Sequence, residues 1–365
     1  MEIQWPLVLF TALAGTGAWL FVCMGINEFV GKNKPAIIYT AFVSCVLLGL
    51  GGLASATHLS HPERILNALN NPTSGIFLEA SMIFILIALA VVFAILVYRD
   101  GNAIARKIIA LAGIAIAVAF TYSAGESYTM SSQAMWDTPL FVIACIFAPL
   151  PAGASLWMLM LCVCHKEFEL SMLLELLRKI RALFGRRKRK QAEKQAAAAA
   201  EEAEVDEALA LEEGEEPDAD VPEAGEAVVA TADELEPEGD ESEAAEPEDG
   251  EQDAPAPREL PVGINIAAIE LLAGAAIALV CNIVYGVVSG AAFGEYVLFF
   301  WLLIIAVGDV VPLCLAALVL RKPDADRVTR IALVAFLGGA CGAVCFRCFQ
   351  WMIGGALMSL FGVVI

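Results

Sequence analysis

The chain has 365 residues, 59% of them hydrophobic, and its mean hydropathy of +0.72 excludes an ordinary soluble protein. The formal net charge of −20 is misleading, because residues 201–253 hold 25 of the 42 acidic residues and no lysine or arginine. The rest of the sequence has a positive balance, as expected of a membrane protein with basic loops.

Eight apolar stretches are long enough to cross a bilayer, which takes roughly 20 mostly apolar residues. They must be helices, because the backbone in lipid has to satisfy its own hydrogen bonds. In sequence order they are Trp5–Val30, Ala36–His58, Gly75–Tyr98, Ile104–Gly125, Pro139–Cys164, Pro261–Ser289, Tyr296–Leu320 and Arg330–Gln350, the last of which could extend to Val364. The sequence therefore predicts an all-α integral membrane protein, with five transmembrane helices in residues 1–164 and three in residues 261–365.

The basic residues predict how these spans are oriented in the membrane. Twenty of the 22 lysines and arginines fall in loops on one side, and the exceptions are Arg64 and Arg347. We therefore expect those loops in the cytoplasm and both termini on the outer (periplasmic or extracellular) face of the cell membrane. This orientation places His58 and Glu79 at the outer face.

The segment between the fifth and sixth spans has a different composition. Residues 165–190 have leucines and isoleucines at helical spacing beside basic residues, which predicts an amphipathic helix on the inner leaflet. Its run Arg186–Lys190 would bind anionic lipids, and a nucleic-acid role is not expected beside a bilayer. Residues 191–260 are mostly Ala, Glu, Asp, Pro and Gly, and we predict that they form a disordered acidic linker.

The sequence does not indicate a haem, an iron–sulfur cluster or another metal site. Two of the three histidines, His58 and His61, are predicted at the outer face and the third at the inner face, so they cannot form a pair of axial ligands across the membrane. The ten cysteines lack the spacing of haem attachment or of cluster ligands. Cys341, Cys345 and Cys348 share one helical face, and we interpret them as small packing residues.

Three ionisable residues, His58, Glu79 and Arg347, are predicted at one depth near the outer face. Arg347 reaches that depth because it lies 17 residues past Arg330, or about 25 Å along a helix. Imidazole and carboxylate groups could take the protons that a quinol releases, and Arg347 could bind a quinone carbonyl or keep Glu79 ionised. His61 offers a second imidazole. The structural alternative is that Arg347 only pairs with Glu79 while His58 caps its helix.

Other residues are consistent with further interpretations of the spans. The walls of a quinol site would come from Phe77, Phe84 and Trp351. Two deeper carboxylates, Glu270 and Asp309, would suit a proton-coupled secondary transporter, especially if a proline in the seventh span interrupts it. The sequence has no internal repeat and no paired broken helices, which argues against a transporter.

Five segments carry a resemblance to a known family. They are Gln4–Leu7 with Phe10 and Thr11, Gly51–Leu59 with Pro62, Asn67–Asn70, Leu78–Ser81, and Gly338–Gly339 with Arg347 and Phe349. These segments resemble the membrane anchor subunit of bacterial dimethyl sulfoxide reductase. The resemblance is best over the first 100 residues and weak in the last helix, and the acidic insert is not typical of the family.

The resemblance implies a haem-free, eight-helix anchor that oxidises menaquinol near the outer face in anaerobic respiration. Such an anchor passes electrons to an iron–sulfur subunit, which feeds a molybdopterin catalytic subunit, so the terminal reduction is not catalysed by this chain. The quinol-site histidine of the family corresponds to His58, in its His-Leu-x-x-Pro setting, and the acidic partner to Glu79. The anchor of a polysulfide or tetrathionate reductase, a transporter and a purely structural anchor are the alternatives.

Overall fold

The computed structural model of the protein describes the spans and most of the short loops between them. The described residues are 3–30, 34–57, 74–131, 133–165 and 260–360. His58 and His61 lie outside these ranges. The predicted amphipathic helix 165–190, except His165, and the predicted linker 191–260, except Leu260, also lie outside them.

Each of the eight predicted spans is helical, and each is long and apolar enough to cross a membrane. The helices are α1 (Trp5–Val30), α2 (Lys34–Ala56), α3 (Gly75–Tyr98), α4 (Ala103–Glu126), α5 (Pro139–Phe147), α6 (Leu150–Val163), α7 (Ile264–Val288), α8 (Val297–Phe299), α9 (Val311–Arg321) and α10 (Ala325–Leu360). Helices α5 and α6 together form the fifth span. The described residues contain no strand, so the described part of the protein is all-α, as the sequence predicts.

Two of the spans are irregular, the fifth at a proline and the seventh at a π-helical segment. The fifth span is divided at Pro149, and Pro151 lies in the first turn of α6, where its missing N–H is not needed. In the seventh span the sequence suggested a break at Pro312. The irregular part lies before that proline and is a π-helical segment, Phe300–Val310, which leads into α9. Pro312 itself sits in the first turn of α9, so it begins a helix rather than breaking one.

Helix α1 is the central helix of the described bundle and packs against α2, α4, α6 and α10. Its side chains Leu20, Phe21 and Met24 are fully buried. Small residues let its neighbours approach closely, since a Cβ added to Gly153 of α6 would lie 2.5 Å from the Cβ of Trp19. The indole Nε1 of Trp19 donates a hydrogen bond to the carbonyl oxygen of Ile146 at 2.8 Å, which joins α1 to the end of α5.

Glycines bring the seventh and eighth spans into backbone contact. A Cβ on Gly342 would lie 2.4 Å from the Cα of Gly308, and a Cβ on Gly338 would lie 2.8 Å from the carbonyl oxygen of Val307. Gly338 and Gly342 have the small-xxx-small spacing that lets transmembrane helices pack without intervening side chains. The π-helical segment is therefore packed directly on α10.

Ion pairs join neighbouring helices at the end of the bundle where α1 stops and α4 begins. The Nε of Arg106 donates a hydrogen bond to Oε1 of Glu28 at 2.8 Å, and Lys34 pairs with Asp100. Glu28 is thus paired inside the protein, and the interaction links α1 to α4. Both pairs involve basic residues that the sequence assigns to the cytoplasmic side.

We expect Gly342→Ala to destabilise the protein, because the new methyl group would meet the backbone of Gly308. Overpacking of this kind costs about 1–3 kcal/mol. Gly49→Ala is the matched control, because nothing lies within 4 Å of a Cβ at that helical position. Thermal unfolding of the purified variants should show a lower Tm for Gly342→Ala alone, and equal Tm values for both would contradict the contact.

Candidate functional site

A cleft of about 470 Å³ lies at the end of the bundle where α1 and α3 begin and α2 and α4 end. This volume is within the usual range of small-molecule sites. Its walls are mainly apolar, with Leu7 and Phe10 from α1 and Ile83 from α3. Its polar side chains include Glu79 and Ser127. The cleft therefore combines an apolar wall with a few polar groups, as ligand sites do.

Glu79 is positioned by the ends of two helices. Ser74 caps α3 by accepting a hydrogen bond from the backbone N–H of Phe77 at 3.2 Å, which sets where the helix begins. Ser127, directly after α4, donates its hydroxyl to Oε1 of Glu79 at 2.6 Å. A hydrogen bond to a carboxylate is short and strong, so the carboxyl of Glu79 is held in one orientation in the cleft.

The predicted histidine lies next to this cleft in the sequence. Ala56, the last residue of α2, lines the cleft, and Thr57 is the last described residue before the gap. His58 follows Thr57 directly and lies outside the described residues, as does His61. The end of α2 and Glu79 thus line the same cleft, and the role of the histidine stays a prediction.

Arg347 lies at the same end of the bundle but does not pair with Glu79. Its guanidinium carbon is 5.4 Å from the ring centre of Tyr128, and its Nη1 donates to Oε1 of Gln350 at 3.0 Å. The residue is 6% exposed, and among the described residues no ion pair within 4 Å joins it to Glu79. Tyr128 lines the cleft, so its ring connects Arg347 to the cleft without a direct ion pair.

The aromatic residues expected to wall the site lie elsewhere. Phe84 is 73% exposed, and neither it nor Phe77 lines the cleft. The helical register explains this, because Ile76 and Ile83 are three residues before and four residues after Glu79 and so share its face. Phe77 and Phe84 fall on other faces of α3.

The third expected wall residue, Trp351, lies one layer behind the cleft. It packs edge-on against Tyr128, with ring centres 6.2 Å apart, and against Trp136 at 5.7 Å. The indole N–H of Trp136 and the amide nitrogen of the Gln350 side chain are buried without an acceptor. Trp351 thus packs against Tyr128, and Gln350 binds Arg347. Trp136 and Gln350 each keep a hydrogen-bond donor without an acceptor among the described residues.

Four residues of this region were missed by the sequence reasoning: Ser127, Tyr128, Trp136 and Gln350. Ser127 and Tyr128 follow the fourth span directly, and antiparallel packing of α3 and α4 brings the end of one helix to the start of the other. The order of the spans could therefore have predicted that these two residues lie near Glu79. Gln350 is one helical turn past Arg347, a spacing that also places both side chains on one face.

Tyr128 lies in the loop between α4 and α5, and its hydroxyl stays neutral far above neutral pH. Burial raises the pKa of Tyr128 to about 12, while the neighbouring Arg347 lowers it and the Glu79 carboxyl raises it further. Tyr128 can thus act as a neutral hydrogen-bond donor at the edge of the cleft.

Comparison with known proteins decides the family. The sequence model of the DMSO reductase anchor subunit (DmsC) family matches residues 1–211, more than half of the chain. The chain belongs to this family. The matched part contains all the residues that line the cleft, whereas Arg347 and the whole of α10 lie beyond it. With its eight apolar helices, the protein is a multi-pass membrane anchor of the DmsC family.

Two curated relatives, both named as anaerobic dimethyl sulfoxide reductase subunits, match part of the sequence. The one from Haemophilus influenzae, designated C, is 34% identical over 145 residues, which are 37% of this chain and 50% of that protein. The one from Escherichia coli, designated YnfH, is 37% identical over 70 residues, 18% of this chain and 25% of that protein. The match thus spans half or less of the length of these relatives. No solved structure matches the sequence.

The raised pKa of Tyr128 predicts a loss of stability in alkaline solution. An unfolded tyrosine ionises near pH 10, while Tyr128 in the folded protein ionises near pH 12. Between these values the unfolded state binds fewer protons, so the free energy of unfolding falls as the pH rises. The Tm of Tyr128→Phe should fall less steeply over this window than the Tm of the wild type.

The control for this experiment is Tyr122→Phe, which alters an exposed tyrosine near the end of α4. It should leave the slope of Tm against pH as in the wild type. Parallel curves for the wild type and Tyr128→Phe would show that the Tyr128 hydroxyl is not held neutral by its surroundings.

Proposed function

We propose that the cleft binds menaquinol and that the protein is the quinol-oxidising membrane anchor of a respiratory molybdoenzyme of the dimethyl sulfoxide reductase type. The observation that carries this proposal is the oriented carboxyl of Glu79 in an apolar cleft, beside the sequence position of His58. Membership of the DmsC family supports it.

Quinol oxidation needs groups that can accept two protons near the ring hydroxyls. Glu79 offers a carboxyl that Ser127 already orients, and His58, with His61 as the second candidate, would offer an imidazole whose pKa suits neutral pH. Tyr128, with Arg347 stacked on its ring, supplies a neutral hydroxyl that can bind a quinone oxygen. The apolar side chains Leu7 and Phe10 would hold the ring and the start of the isoprenoid tail.

The two electrons would leave the quinol for a partner subunit. The sequence offers no haem or cluster spacing, so electrons would pass directly to an iron–sulfur subunit docked over the cleft, and from there to a molybdopterin catalytic subunit. Docking at this end of the bundle keeps the transfer distance short. The names of the two relatives, both parts of anaerobic dimethyl sulfoxide reductases, favour this partner set.

The proposed orientation places the cleft at the outer face of the cytoplasmic membrane. The basic loops would lie inside, together with the segment Arg186–Lys190 on anionic lipids. Protons would leave on the outer side, where Glu126 and Asp137 line a second cleft of about 490 Å³ beside α4. With quinol oxidised and protons released on the same side, this subunit would move no net charge across the membrane.

The proposed function is tested with a reduced menaquinol analogue and the purified complex. We expect His58→Ala and Glu79→Gln each to lower the rate of quinol oxidation by about 100-fold or more, the usual contribution of a general base. Glu295→Gln, which alters an exposed loop carboxylate, is the control and should keep the wild-type rate.

Unchanged rates in both His58→Ala and Glu79→Gln would falsify the quinol site. Loss of activity in His61→Ala with normal activity in His58→Ala would move the histidine assignment to His61. Quinol binding, measured separately by fluorescence quenching, distinguishes a variant that does not bind from a variant that binds but does not react.

The hydrogen bond from Ser127 predicts a smaller effect of its own. Ser127→Ala removes the donor that orients Glu79, and a hydrogen bond to a charged group is worth about 1.5–3 kcal/mol. We therefore expect quinol oxidation to slow by about 10- to 100-fold. Ser127→Thr keeps a hydroxyl and should recover most of the rate, and equal losses in both variants would argue against an orienting role.

A further inference from the structure

Asp309 is a buried carboxylate in the seventh span, and it is not part of the cleft. It is 2% exposed and lies near the end of the π-helical segment Phe300–Val310. The amide nitrogen of the Asn282 side chain, on α7, donates to Oδ2 of Asp309 at 2.9 Å. Ionisable groups within a membrane are costly and are usually kept for a function. π-Helical turns within α-helices are also common at functional sites.

The side chain of Asn282 has an unsatisfied hydrogen-bond acceptor at this site. It is 1% exposed, and its oxygen Oδ1 is buried without any donor. An ionised Asp309 cannot supply a donor, because a carboxylate only accepts hydrogen bonds. A protonated carboxyl can supply one, since its O–H is free to donate to an amide oxygen.

Protonation of Asp309 would satisfy both side chains at once. The O–H of the acid would donate to Oδ1 of Asn282, while the amide of Asn282 continues to donate to the second acid oxygen. The two side chains then form a closed acid–amide ring with two hydrogen bonds. Rotating the Asn282 amide by half a turn exchanges its donor and acceptor and gives the same ring.

In the part of the chain that the structure describes, no basic side chain pairs with Asp309 to favour its ionised form. Its one side-chain hydrogen bond among the described residues comes from the neutral amide of Asn282. Gly308, directly before it, packs backbone to backbone against Gly342 of α10. An ionised Asp309 would therefore be a buried charge without a counter-ion, which is strongly unfavourable.

We propose that Asp309 and Asn282 form a proton-binding site inside the membrane, in which Asp309 holds a proton at neutral pH. The proton comes from water and bonds to one carboxyl oxygen, with no other reactant. The site lies in the last three spans, so it is separate from the quinol cleft and does not depend on the proposed function. It gives the anchor a group that can take up or release a proton within the membrane.

Infrared spectroscopy of the full-length protein, with the subunits that co-purify, tests this proposal directly. Aspartate labelled with ¹³C at the carboxyl of its side chain shifts only the bands of aspartate side chains. Asp309 is the only aspartate within the eight spans. We expect a label-sensitive band at the carbonyl-stretching frequency of a protonated acid at neutral pH, and this measurement needs only the wild type.

Substitutions show whether the protonated-acid band belongs to Asp309 and whether Asn282 is hydrogen-bonded to it. Asp309→Asn should abolish the band, and Asn282→Val should move it to higher frequency, because the carbonyl group then loses its hydrogen-bond donor. Glu270→Gln is the matched control. Glu270 is a second carboxylate within the spans, and among the described residues its two oxygens are buried without a hydrogen-bond partner. That variant should leave the labelled band unchanged.

Two results would overturn the proposal. The first is a wild-type spectrum in which the label shifts only bands of ionised carboxylates, or a protonated band that survives in Asp309→Asn. The second is an ionised band that moves when sodium replaces potassium in the buffer, which would make the pair a site for a small cation.

Discussion

The bilayer supplies no water to the polypeptide, and this constraint determines where the protein can carry polar chemistry. Each span must satisfy its backbone internally, so the spans are helices with apolar surfaces and small residues at their contacts. Polar groups then gather at the helix ends or in hydrogen-bonded pairs. The cleft around Glu79 is an example of the first arrangement, and the Asn282–Asp309 pair is an example of the second.

The cleft is assembled from the ends of the first four helices, α1 to α4. Its acidic group comes from the start of α3 and its orienting hydroxyl from the end of α4, so their hydrogen bond also fastens the two helices together. Tyr128 lines the same cleft, and the guanidinium of Arg347 lies over its ring. Within the described ranges this buried arginine is stacked on a ring and has no carboxylate within ion-pair distance, so its charge can act on the site.

The two parts of the bundle carry different structural features. The part that matches the DmsC family carries the cleft, and α1 at its centre holds the other helices through close contacts such as Trp19 on Gly153. The last three spans add the Gly308–Gly342 contact, the π-helical segment and the buried Asp309. Because these features do not line the cleft, they can take part in a separate process without disturbing it.

The sequence by itself determined the eight spans, because apolar length is a local property that needs no packing information. It also marked Glu79 and Arg347 as candidate site residues, because charges are rare inside spans, and that assignment stays a prediction. Only the tertiary structure decided that Ser127 holds Glu79 and that Arg347 packs on the ring of Tyr128. It also placed Ile83, and not Phe84, in the cleft. These outcomes depend on helix rotation and on which helix ends meet, and an apolar span with little amphipathic pattern encodes neither.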